Sequence, residues 1–272
     1  MKMKLWIAIL CCFCLLSWTC ASDRPKYVAL TFDDGPSGRF TEELLDFLEE
    51  KQVPATFFLC GYRVEQYPHL TKRIAMQGHE IGVHSDQHRF FSRMTEQEIC
   101  LDLAQTRQKI VQAAHKEPTL LRPPGGIYDL DILSRTCCND LPVILWSVDV
   151  QDWCRSNSTQ IANDIVKQAK SGDIILMHDM KDSSINAAKK VIESLQARGF
   201  EFLTVSELAD LCGIQLMGST VYYSFVKKLS ICVREQETEP CAKFGFPPPR
   251  PFSSALSCFT VSRTSPCKMP TA

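Results

Sequence analysis

Past its first 21 residues the chain has no apolar run long enough to cross a bilayer. It also lacks an excess of either charge. Thirty Lys and Arg stand against 31 Asp and Glu, a formal net charge of -1. A surface that tracks nucleic-acid phosphates needs a basic excess, so this balance argues against nucleic acid as a partner. Beyond residue 21 no two cysteines are spaced Cys-x-x-Cys. That removes zinc ribbons and thioredoxin-like redox sites from consideration.

Cysteine itself is abundant, with 14 in 272 residues, four of them within the first 21. The other ten fit an oxidising, extracytoplasmic setting. The N-terminus agrees. Met1-Lys2-Met3-Lys4 is basic, Leu5 to Trp18 is almost wholly apolar, and Thr19-Cys20-Ala21 ends in small residues. This reads as a secretory signal over residues 1–21, cleaved after Ala21. An uncleaved anchor and a lipid-modified Cys20 are the alternatives.

Hydrophobic residues make up 45% of the chain, enough for one full-sized core. Short apolar runs alternate with helical patterns. Strands are expected at Tyr27–Phe32, Ala55–Leu59, Glu80–Val83, Leu120–Arg122, Val143–Val148, Ile174–His178 and Phe200–Val205. Helices are expected at Phe40–Lys51, Thr95–His115, Ala162–Ala169 and Ile185–Ala197, the second opened by the capping box Thr95-Glu96-Gln97-Glu98. Such alternation predicts an α/β fold, a distorted (β/α) barrel of about seven strands, over residues 22–216. Periodicity fades after Met217. Pro247-Pro248-Pro249-Arg250-Pro251 suits neither helix nor central strand, so residues 217–272 read as a disordered tail rich in Pro, Ser and Cys.

In parallel barrels the chemistry sits at the C-terminal ends of strands. Polar residues collect there. Asp33 and Asp34 follow the first strand, His84 and His88 the third, Arg122 ends the fourth, Asp149 and Asp152 follow the fifth, and His178 ends the sixth. Two histidines and a carboxylate make a face for a divalent ion with open positions, and a second carboxylate is left over for proton transfer.

Five short motifs stand in order. They are Thr31-Phe32-Asp33-Asp34-Gly35-Pro36, His84-Ser85-Asp86-Gln87-His88, Arg122-Pro123-Pro124-Gly125-Gly126, Trp146 to Trp153, and Leu176-Met177-His178-Asp179. Together they resemble the polysaccharide deacetylases, the NodB-homology group of carbohydrate esterase family 4. The resemblance runs from about Tyr27 to Leu211.

The resemblance implies a hydrolase of linear amides that removes N-acetyl groups from an N-acetylglucosamine polymer such as peptidoglycan or chitin. Acetyl-xylan ester cleavage is an alternative within the same chemistry. It further implies a divalent metal on Asp34, His84 and His88, with zinc first and cobalt or another transition metal next. Asp33 would be the general base, held by Arg122, and His178 the general acid, oriented by Asp152, with Asp149 and Asp179 as competitors for that place. The Gly125 N–H would meet the oxyanion, and Leu176 and Trp153 would line an acetyl pocket. Gly125 departs from the pattern, which has an aromatic there, and Tyr128 is a candidate to replace that ring. A sugar-binding protein on the same fold without turnover is the rival expectation, and a glycosidase using paired carboxylates a second.

Overall fold

A computed structural model describes residues 25–129 and 139–225. The expected signal, the pair Cys137-Cys138 and the proline-rich stretch lie outside the described residues. Eight strands form one sheet: β1 (Lys26–Asp33), β2 (Thr56–Leu59), β3 (Glu80–Val83), β4 (Leu120–Leu121), β5 (Val143–Ile144), β6 (Ile174–His178), β7 (Phe200–Leu203) and β8 (Val221–Tyr222). Their order is β6-β1-β2-β3-β4-β5-β8, with β7 also paired to β1. Every strand pair is parallel.

The sheet curls back on itself. Past β5, Val148 bridges Ile175 and its carbonyl accepts from the Leu176 N–H at 3.0 Å. The run Val143–Val148, expected as one strand, therefore serves three neighbours: its start pairs with β4 and β8, its end with β6. That split distorts the (β/α) barrel.

Among the described residues seven α-helices fill the connections: α1 (Arg39–Lys51), α2 (Gly61–Gln66), α3 (Pro68–Met76), α4 (Glu96–Ala114), α5 (Ser158–Gln168), α6 (Asp182–Ala197) and α7 (Val205–Leu211). The expected capping box opens α4, with Thr95 and Glu98 bonding reciprocally. The short helices α2, α3 and α7 were not expected from periodicity.

Strand alternation sorts side chains into two layers. Val28, Leu30 and Phe32 of β1 join Phe57, Leu59, Ile81, Val83, Leu121, Ile175 and Met177 in the outer core, under the helices. The opposite parity, with Ala29, Phe58, Leu120, Ile144 and Ile174, fills the interior. Asp33, His84, Arg122 and His178 share this second parity, so sequence alternation alone aims them at the barrel mouth.

At the other end Glu80 closes the floor. It accepts from the Thr56 and Thr119 hydroxyls at 3.0 Å each and from the Ser206 N–H at 3.1 Å. A buried carboxylate with several donors is a satisfied one, which accounts for a residue that no motif claims.

The boundary expected at Met217 is corrected. Residues 217–225 belong to the folded unit. β8 pairs with β5, Ser224 bridges Asp173, the Phe225 N–H reaches the Gly172 carbonyl at 2.7 Å, and Phe225 is fully buried. A two-residue strand carries too little alternation to be read from sequence. Truncation at Met217 exposes Ile144, Ile174 and the α7 face, and should abolish soluble protein. Phe225→Ala in the full chain should cost about 3 kcal/mol or more in a urea titration.

Candidate active site

The site begins with a break in alternation. Asp33 points inward as the last residue of β1, so its neighbour would ordinarily point outward. Asp34 instead adopts φ 71°, in the left-handed region, and so turns to the same side. Non-glycine residues held there persist where the surrounding structure enforces them. Ser85 (φ 69°) and His88 (φ 52°) repeat the device in the loop after β3, and that turn brings His88 back beside His84, with ring centroids 5.3 Å apart.

The three groups converge. Nε2 of His84 lies 3.3 Å from Asp34 Oδ1, and Nε2 of His88 lies 3.2 Å from the same oxygen. Asp34, His84 and His88 each present a ligand atom within 4.8 Å of the others. His84 Nδ1 lies 2.7 Å from the Arg122 carbonyl, an acceptor only, so Nδ1 carries the proton and Nε2 keeps its lone pair. Asp34 Oδ1 is buried with no hydrogen-bond partner.

Lone pairs gathered around an orphaned carboxylate oxygen are what a divalent cation satisfies. The residues fit the ion that the motifs imply. Burial works against the Asp34 charge, but the close His84 imidazole and the charges of His84, His178 and His88 hold its carboxyl well below the usual range. His84 is pushed up, because Asp33 and Asp34 outweigh its burial. His88, less enclosed by carboxylates, is pushed down by burial.

Asp33 stands beside this group, its Oδ2 3.7 Å from His84 Nε2. Its Oδ1 accepts from Arg122 at 2.7 Å. Arg122 is fully buried, and every donor edge is used: Nη1 also reaches the Thr31 hydroxyl at 2.8 Å, Nε the Ile144 carbonyl at 2.9 Å, and Nη2 the Leu145 carbonyl at 3.0 Å. Its guanidinium lies 4.0 Å from the Phe58 ring centroid and 5.5 Å from that of Trp146. Gly82 makes room for this stack, since a Cβ there would stand 2.5 Å from the Phe58 ring.

On the far side His178 Nδ1 lies 2.7 Å from Asp152 Oδ1, and the His178 N–H reaches Asp152 Oδ2 at 3.1 Å. His178 Nε2 faces Asp34 Oδ2 at 4.0 Å. Burial disfavours the His178 charge, but Asp152, then Asp34 and Asp33, outweigh it and raise its pKa to about 9. The two competing carboxylates have other work. Asp149 accepts from the Gln151 N–H at 2.7 Å. Asp179 is fully buried and accepts from the Thr41 hydroxyl, and burial pushes its pKa up to about 7.

Gly125 is exposed at φ 64°, within a turn closed by hydrogen bonds from Gly126 and Ile127, and its own N–H is used by neither bond. Leu176 is buried and shares the inward parity of His178. Trp153 is half-buried, its carbonyl held by Lys181 Nζ at 2.8 Å. Tyr128 does not replace the missing ring. It packs on the outer core, and its hydroxyl meets that of Tyr223 at 3.1 Å. His79 is a core residue: its Nδ1 accepts from the Ala55 N–H at 3.2 Å, and burial, with Arg73 and Lys116, lowers its pKa to about 4. The residue missed by sequence reasoning is Asp102 of α4, a carboxylate on the buried stripe with Ile99, Leu103, Thr106 and Ile110. Its only signal was that misplacement among apolar neighbours.

The family profile described as polysaccharide deacetylase matches residues 21–141. The chain is 37% identical to a peptidoglycan-N-acetylglucosamine deacetylase of Bacillus cereus, over 68% of this chain and 89% of that one. It is 33% identical to a chitooligosaccharide deacetylase of a Bradyrhizobium strain, over 67% of this chain and 90% of that one. Some relatives are longer, and the chain spans 39% of their length. Among solved structures, a family 4 acetyl xylan esterase from Clostridium thermocellum in complex with a cobalt ion superimposes with a TM-score of 0.68 at 32% identity, covering 73% of this chain and 98% of that one. The chain belongs to the polysaccharide deacetylase family.

Proposed function

We propose that this protein hydrolyses the N-acetyl group of N-acetylglucosamine units in a polysaccharide, releasing acetate and leaving a free amine, with Asp34, His84 and His88 holding a divalent ion. The observation that carries the reading is the convergence of those three ligand atoms between a carboxylate held by arginine and an imidazole held by carboxylate. Two imidazoles and one carboxylate suit zinc first and other transition metals next. When bound, the ion supplies a Lewis acid that polarises the amide carbonyl and acidifies the attacking water.

The chain's own groups divide the proton work. Asp33 takes a proton from the water. Arg122 donates to that carboxylate at 2.7 Å and fixes its orientation. The Gly125 N–H donates to the developing oxyanion. His178 gives its Nε2 proton to the leaving nitrogen as the tetrahedral intermediate collapses, while Asp152 holds the ring by Nδ1 and stabilises its charged form. Leu176 and Trp153 line the space for the acetyl methyl.

Peptidoglycan is the first substrate choice and a chitin oligomer the second, in line with the relatives' names. Acetylated xylan is the ester alternative, in line with the solved neighbour. The disulfide at Cys100 supports a secreted or envelope location. The rival, a sugar-binding protein without turnover, draws on the Gly125 departure. The intact proton-handling pairs argue for turnover.

Acetate release from peptidoglycan and chitin oligomers should occur, stop on chelation and return with zinc or cobalt. Binding without metal-dependent release would establish the rival. Asp34→Ala should lose metal and activity together. Asp33→Asn should keep its metal yet lose a hundredfold or more in kcat, about the worth of a positioned general base, and near-normal turnover would refute that role. The pH profile should have an alkaline limb set by His178, whose acid form is required. Asp152→Asn removes the largest opposing charge to His178 burial, so that limb should move to lower pH by a unit or more. A limb that stays put would assign it to another group.

A further inference from the structure

The loop that carries His84 and His88 does not hold its own shape. Ser85 and His88 both sit at positive φ, a conformation that side-chain-bearing residues disfavour unless neighbours impose it. What imposes it comes from two helices. From α2, the Gly61 N–H donates to the Ser85 carbonyl at 3.1 Å and the Tyr62 N–H to the Asp86 carbonyl at 2.9 Å. From α4, Asp102 uses both carboxylate oxygens. Oδ2 accepts from the Ser85 hydroxyl at 3.1 Å and Oδ1 from the Asp86 N–H at 2.8 Å. About two turns along α4, Lys109 Nζ grips Asp86 Oδ1 at 2.8 Å and Glu65 at 3.0 Å.

A buried carboxylate costs stability unless donors compensate it. Asp102 is 7% exposed and lies on the apolar stripe of α4, where a hydrophobic residue would serve packing better. Both of its side-chain partners belong to the two residues that separate His84 from Gln87 and His88. We infer that Asp102 is a positioning residue for the metal ligands: it clamps Ser85 and Asp86 in the turn that aims His84 and His88 at one point. It touches neither ion nor substrate and acts through the loop. The inference rests on the reading of Asp34, His84 and His88 as ligands.

Cobalt(II) titration of the metal-free full chain, followed by its visible absorption and by calorimetry, tests both separately. Binding by the unsubstituted protein tests the ligand reading alone, and its absence would remove both. With Asp102→Ala, the cobalt Kd should rise about tenfold or more, the range found for outer partners of metal ligands, and the absorption bands should shift as ligand geometry loosens. Asp102→Asn keeps an acceptor for the Asp86 N–H and lets the Ser85 hydroxyl turn and accept from the new amide. It should restore the Kd to within a few-fold, whereas a loss as large as that of Asp102→Ala would mean that the charge, not the clamp, matters, and would overturn the proposal. If Asp102→Ala does not fold, Ser85→Ala removes one arm without leaving a hole, and its Kd should rise severalfold. A lowered Tm with unchanged Kd and spectrum in either variant would make Asp102 merely structural.

Discussion

The site depends on one buried cation. Arg122 has no exposed surface, and its guanidinium is consumed by Asp33, Thr31 and two carbonyls at the start of the split fifth strand. Its own carbonyl fixes the tautomer of His84. A single residue thus sets the orientation of the Asp33 carboxylate and of the His84 imidazole. Breaking such a pair strands an uncompensated charge in the interior, a cost of several kcal/mol. The pairing is therefore rigid, and it holds Asp33 apart from Asp34 although the two are adjacent in the chain.

Two ion pairs of opposite sense frame the centre. Arg122 donates to Asp33, Asp152 holds His178 and favours its charged form, and Asp34 with His84 and His88 lies between. The surrounding layers keep these groups in place. Phe58 and Trp146 cover the guanidinium, and Gly82 leaves the space that Phe58 occupies.

Much of this was legible in the sequence, for physical reasons. β3 and β6 were expected with the bounds observed, because each is a short, largely apolar run with polar residues at its limits. α4 was legible from its cap. Inward parity of Asp33, His84, Arg122 and His178 follows from strand period alone. Other features needed three dimensions. The left-handed turn at Asp34 overrides that period, and nothing in Asp-Asp-Gly-Pro states φ. The divided duty of Val143–Val148 and the two-residue β8 arise from pairing partners remote in sequence. Asp102 showed only as a carboxylate on an apolar stripe, because its donors belong to another element. Tyr128 looked available as a ring until Tyr223, from beyond the expected domain end, engaged it.

The first strand is also the most connected. β1 meets β2 and β7 along one edge and β6 along the other, so this strand stays unsatisfied until residues 174–178 and 200–203 have emerged. Non-local pairing of this kind slows folding. Asp33 and Asp34 acquire their neighbours only when the ring closes, so competence arrives as a property of the finished fold rather than of any growing piece.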